Sequence, residues 1–273
     1  MLAAVSNPAY TSGVGGGGNI PESFAFDDGT SMAAPHVSGA AALLKSLHPA
    51  WTPAELNSAL SLTAVTALTD QCANVVAGVC TPGSAFSPFV RGSGRIDALA
   101  AEHGGLLLDE SGMDYNAANP ASGGDLTTLN LAGLGNEACA GTCNWTRTFT
   151  SAFASTTAHY TVAVSGQSAG VQVTVTPSSF DLGPGATQHL AISADVTGAA
   201  LANWAYAQVD ITSNGNGDDG QPIAAAHMPL AVLVQSAPPL PPPPPKSTGG
   251  GSFDWLVIGV LVLTLCRRCL GSA

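Results

Sequence analysis

Residues 31–48, SMAAPHVSGAAALLKSLH, read as a helix that is small or apolar on nearly every face, through Ala33, Ala34, Val37, Ala40, Ala41, Leu43 and Leu44. A surface helix carries one apolar stripe, whereas a helix without a polar side belongs inside a molecule. The expectation is a central helix with partners all round. Pro35 is placed in its first turn, where a missing N–H costs little. Gly39 is expected to let a neighbouring element approach closely. A polar turn at Asp28-Gly29 comes just before, so Ser31 sits where turn meets helix.

A second helix begins at TPAELNSALSLTA, with Thr52 as N-cap, Pro53 at the first helical position and Glu55 completing a capping box. Leu56, Leu60 and Val65 roughly keep helical spacing. VRGSGRIDALAAEH reads as a glycine-marked turn and a short helix over Ile96–Ala101. From about residue 125 the pattern changes to period-2 alternation, in HYTVAVSG, GVQVTVTP, HLAISADV, AQVDITSN and MPLAVLV, separated by LGPGA and SNGNGDDG. Short strands at such spacing predict a β-sandwich. No acid–base or metal constellation appears among them. NGNGDD could hold calcium, but it reads better as a solvated hairpin loop.

PPLPPPPPKSTGGGS is a polyproline spacer ending in glycines. The apolar run Trp255–Cys266 that follows would be about 18 Å long as a helix, against about 30 Å of hydrocarbon in a bilayer. Arg267 and Arg268 behind it obey the positive-inside rule. A buried C-terminal helix is the other reading, but a rigid spacer leaves it no core to reach.

The formal net charge of −11 argues against nucleic-acid binding, which wants a basic face. The cysteines fall in three close pairs, Cys72/Cys80, Cys139/Cys143 and Cys266/Cys269. The first two read as local disulfides and hence an oxidising compartment; free cysteines in a cytosolic core are the alternative. The N-terminus, MLAAVSNPAYTSG, has no basic region and no apolar run of signal-peptide length. LAAV looks instead like a buried strand that has lost its beginning.

A helix N-terminus offers unpaired N–H groups and a partial positive charge, so a hydroxyl there gains half of an oxyanion hole. Serine before a helix is also an ordinary N-cap. The surrounding string decides between them. DGTSMAAPHVSGAAALL closely resembles the nucleophile motif of the subtilisin-like (S8) serine peptidases, at Gly29, Thr30, Ser31, Met32, Ala33, Pro35, His36, Val37 and Gly39. LKSLHPAWTPAELNSAL and GSGRIDALAA resemble the elements that follow it in that family, so the likeness covers about residues 1–103. The β-rich 126–236 region resembles the fibronectin-III-like domain many of these proteases carry. The tail resembles a GlyGly-CTERM sorting signal.

The resemblance implies a multidomain fold. Residues 1–105 form the C-terminal part of an α/β subtilisin-like domain, followed by a linker at 106–125 and an antiparallel β-sandwich at 126–236. A Pro/Gly-rich linker at 237–252 and a short membrane or sorting helix at 253–273 complete the layout. It implies that Ser31 is the acylating nucleophile, with its own N–H as one oxyanion donor, and that Met32 and Pro35 shape the helix entrance. His36 points about 140° away from Ser31 around the helix and is structural. His48, His103, His159, His189 and His227 stand in no catalytic context. In the family the Asp, the His and the Asn of the oxyanion hole lie well ahead of the Ser. Only 30 residues precede Ser31, and none is a His. The chain is therefore expected to be a C-terminal piece of an exported endopeptidase, inactive alone. No cofactor is evident, and any calcium would belong to the missing N-terminal half. The implied partners are protein or peptide substrates, a rhomboid-type sorting protease acting near Gly249–Gly251, and a membrane met through residues 253–266. The alternative is a non-enzymatic, surface-anchored β-sandwich module with a vestigial protease segment.

Overall fold

The computed structural model describes residues 2–4, 24–26, 29–68, 74–76, 79–81 and 87–236. Its helices are α1 (Thr30–Leu47), α2 (Pro53–Leu62), α3 (Pro88–Arg91), α4 (Ala98–Glu102) and α5 (Gly112–Ala117). The first strands are β1 (Leu2–Ala4), β2 (Phe24–Phe26), β3 (Asn74–Val76), β4 (Val79–Thr81), β5 (Leu106–Leu107) and β6 (Leu134–Ala140). Then come β7 (Thr142–Ser151), β8 (Ala158–Ser165), β9 (Gln172–Thr176), β10 (Ser179–Leu182), β11 (Thr187–Asp195), β12 (Trp204–Thr212) and β13 (Ala226–Gln235).

Two sheets form the sandwich, in the orders β10-β8-β12-β13-β6 and β5-β7-β11-β9. Alternation does the work. Leu190, Ile192 and Ala194 of β11 face Trp145 and Phe149 of β7 within one core, as do Val209 and Ile211 of β12 and Leu230 and Val232 of β13. All pairings are antiparallel except β13 with β6, which run parallel. The expected antiparallel sandwich is corrected at that edge. The chain leaves β6 for the other sheet at Gly141, whose φ of 80° suits a residue without Cβ. The Cys139–Cys143 disulfide, with Cα atoms 5.7 Å apart, closes this corner. Cys72 of the expected Cys72/Cys80 pair, the proline spacer and the apolar tail with Cys266/Cys269 lie outside the described residues. Among the described residues no helix is long and apolar enough to cross a membrane.

The capping box of α2 forms as read: Thr52 Oγ1 accepts the Glu55 N–H at 3.1 Å, and Glu55 accepts the Thr52 N–H at 2.7 Å. Leu56 and Leu60 are buried, but Val65 lies past the helix end and bridges Arg95. Gly94, in the turn before α4, is needed here, because a Cβ would meet the Val65 carbonyl oxygen at 2.4 Å. The strand expected at LAAV pairs antiparallel with β2.

Three expectations for α1 fail. Pro35 is not in the first turn; the helix starts at Thr30, so the ring removes the bond that the Ser31 carbonyl would accept. Gly39 faces open space, with nothing within 4 Å of a Cβ built there. The helix is not central either. Only Leu44 is buried, while Val37, Leu43 and Leu47 are 43%, 53% and 47% exposed. Its one covered side packs on α2 and α4, with Leu44 beside Trp51, Leu56, Ala59, Leu60 and Ala101. Among the described residues nothing covers the remaining faces.

The helices and the sandwich meet along a seam where α2 reaches the sandwich core. Leu62 of α2 is fully buried in the sandwich core beside Leu106 and Leu108. Polar groups stitch the seam. Ser58 Oγ accepts the Leu108 N–H at 3.0 Å, and Arg91 Nη2 donates to Gln208 Oε1 at 2.8 Å. The Ala224 N–H donates to the His103 carbonyl at 3.0 Å.

Candidate functional site

Ser31 is the second residue of α1 and is exposed. The N-cap is Gly29, at φ 132°, a conformation that only glycine takes without strain. The cap position is thus occupied by a residue with no side chain, and the Ser31 hydroxyl does not hold the helix start. The Gly29 carbonyl accepts the Met32 and Ala33 N–H groups, both at 3.1 Å. The Thr30 and Ser31 N–H groups have no backbone partner among the described residues. An exposed hydroxyl beside open N–H groups, at the end that carries about half a positive charge, is arranged to stabilise an anion formed next to that oxygen.

His36 turns away from Ser31. Its Nδ1 donates to the Met32 carbonyl at 2.6 Å, one turn back along α1. His48 caps the far end of the same helix, about 25 Å from Ser31 along the axis at 1.5 Å per residue.

Two imidazole–carboxylate pairs appear that the sequence reading missed. His103 Nδ1 lies 3.0 Å from Asp219 Oδ2, and His159 Nδ1 lies 2.7 Å from Asp181 Oδ1. The second follows from register, since Asp181 stands opposite His159 across β10 and β8; the first is a tertiary contact with no local signal. His103 lines the same cleft as His48. It therefore sits a helix length from Ser31, beyond reach of a proton transfer. Asp218, in NGNGDD, binds protein donors. It accepts N–H bonds from Ala154, Ser155 and Thr156, at 2.6, 3.2 and 2.8 Å, and the Ser155 hydroxyl at 2.8 Å. These bonds hold its carboxyl well below the usual range.

His227, buried on β13, donates from Nε2 to the Ser93 carbonyl at 2.7 Å and ties the turn before α4 to the sandwich. Burial pushes its pKa down, as it does for His48 against the opposing pull of Glu102. Both rings take up protons more readily in the unfolded chain, near the ordinary imidazole value of about 6.5. Their contribution to stability is complete above that value and is lost as pH falls from it through the lower folded value. Urea midpoints taken from about pH 7.5 down to about pH 5.5 should therefore fall, and His227→Gln should flatten the decline. A flat wild-type profile would refute the assignment.

Residues 9–94 match the family model described as Subtilase family. The segment that carries Ser31 is thus similar to the subtilases. Residues 128–224 match the Fibronectin type-III domain. A subtilisin-like protease of Arabidopsis thaliana, SBT1.7, is 32% identical over 200 residues, covering 65% of this chain and 26% of the relative. Another from the same plant, SBT1.6, is 46% identical over 87 residues, covering 32% of this chain and 11% of the relative. The chain thus spans about a quarter or less of the length of these relatives. Among solved structures, the secreted serine protease VesC of Vibrio cholerae aligns at a TM-score of 0.28 and 19% identity, over 40% of this chain and 23% of that one. A likeness that low carries no argument.

Proposed function

We propose that Ser31 is the acylating nucleophile of a subtilisin-like serine endopeptidase. The observation that carries this is its position: an exposed hydroxyl at the open N-terminus of α1, inside the segment that matches the subtilase family. Ser31 Oγ attacks the peptide carbonyl, the Ser31 N–H stabilises the oxyanion, and collapse expels the amine and leaves an acyl-enzyme that water hydrolyses. The hydroxyl must lose its proton to a base. His36 is bonded to its own helix and His103 is a helix length away, so the described residues supply none. The substrates are proteins or peptides, and this chain alone does not turn them over.

Fluorophosphonate labelling tests the second half of that reading. Ser31 in the purified chain should label at the background rate of an unactivated serine. Labelling at the rate of an intact subtilase would overturn it.

The same proposal keeps residues 1–105 as the peptidase part, 126–236 as the fibronectin-III-like sandwich and 253–273 as an anchor. A rhomboid-type protease would act near Gly249–Gly251 after export. The Cys139–Cys143 disulfide supports an oxidising destination. Replacing Gly249–Gly251 in an exported parent should leave it trapped in the membrane, and unchanged release would defeat the sorting role.

A further inference from the structure

The seam between helices and sandwich holds a cleft of about 190 Å³, at the end of α1 remote from Ser31. Drug-sized ligands need pockets of about 300 Å³ or more, so this one has room for a side-chain-sized group. One wall is a stacked pair, His48 on Trp51, with ring centroids 3.9 Å apart and planes 5° from parallel. Another is Phe153. Its ring is wedged between two glycines, because a Cβ on Gly105 would meet Phe153 Cε2 at 2.6 Å and one on Gly217 would meet Cε1 at 2.9 Å. Both walls are rigid aromatic surfaces.

Three carboxylates line the same space: Glu102, Asp218 and Asp219. Asp218 is spent on the 154–156 backbone, and Asp219 is shared between His103 and the Gln221 N–H, 2.9 Å away. Glu102 has no hydrogen-bond or ion-pair partner among the described residues. His48 Nε2 is buried and also lacks one. Burial keeps the His48 ring neutral at pH 7. Among the described residues no three His, Cys, Asp or Glu side chains converge as metal ligands.

We infer that this cleft binds an organic monocation, an alkylammonium or guanidinium group such as the head of a lysine or arginine side chain. Its charge lies between Glu102 and Asp219, and its face or stem lies against Phe153 and Trp51. Cations favour aromatic faces, and do so more strongly when water is excluded. The site is separate from Ser31 and does not depend on the chain being a peptidase.

The test uses the full chain and two-dimensional NMR of its imidazole and indole signals. Nα-acetyl-lysine methylamide, Nα-acetyl-arginine methylamide and free n-butylammonium are titrated, with the norleucine amide as the uncharged match. At least one cation should shift the His48 and Trp51 signals saturably. The norleucine amide should bind at least about fivefold more weakly, and binding should weaken with salt. The amides against butylammonium separate a peptide side chain from a free amine. Glu102→Gln, which removes a charge without touching the fold, should weaken binding about fivefold or more. Equal binding of norleucine and lysine amides, an unchanged affinity in Glu102→Gln, or no shift at His48 and Trp51 with any cation overturns the inference.

Discussion

Grafting residues 29–103 into an intact subtilase, in place of its matching segment, should give an active protease that Ser31→Ala silences. The graft supplies what the described residues lack, a base and its orienting carboxylate ahead of the helix. The scale comes from subtilisin, the namesake of the family, where loss of the nucleophile costs about 10⁶ in kcat. A residual rate of about 10³ over water should survive from binding and the oxyanion donors. Melting temperatures of the graft and its Ala variant should agree, since Ser31 is exposed and Gly29 holds the cap position. Ser31→Ala within tenfold of the parental kcat would end the nucleophile assignment. An inactive but folded graft would favour the reading of a vestigial segment on a binding module.

Arg147→Ala should be the most damaging single change to stability. Arg147 occupies an inward position of β7 and is 2% exposed. Its guanidinium donates to four carbonyls: Nε to Leu131 at 2.6 Å, Nη1 to Thr146 at 2.9 Å and Thr127 at 3.3 Å, and Nη2 to Gly133 at 3.0 Å. It organises the irregular stretch 127–133 before β6. Desolvation pulls its pKa down to about 10, against the attraction of Glu110, so it stays charged at neutral pH. Truncation leaves a cavity and several buried acceptors unpaired, at about 1–3 kcal/mol for each unsatisfied group. The expected loss is about 3–5 kcal/mol, enough to remove most of the margin of an ordinary domain. Arg147→Lys should also be costly, because an ammonium cannot reproduce the planar fork. Urea unfolding followed by tryptophan fluorescence measures both, and an Ala variant within 1 kcal/mol of wild type would refute the role.

Arg147 also marks where the sequence stopped being readable. β8, β9, β11 and β12, and β13 from Leu230 on, follow alternation that could be seen in the residues alone. β7 does not, because a charged residue takes a core position and only tertiary acceptors make that tolerable. β6 buries only Leu134 and Cys139, and β10 buries only Phe180 and Leu182 of its four residues, too little pattern to register. Helix α1 was legible as a helix and misjudged in burial. Composition reports how much apolar surface an element has, not how much of it finds cover. The place of Ser31 was legible because it depends on a local turn. The cleft was not, since His48, Glu102, Phe153 and Asp219 come from four separate stretches that only the folded seam brings together.

The seam bears on how such proteins can be divided. Leu62, Leu106 and Leu108 belong to the sandwich interior although all three precede residue 128, where the fibronectin match begins. Scissors applied at that border would strip β5 from its sheet and leave hollows where three leucines had been. Genetic shuffling faces the same obstacle, since an exon carrying the sandwich alone would arrive with an open flank. The workable boundary lies ahead of Thr52, so α2 travels with the strands it plugs.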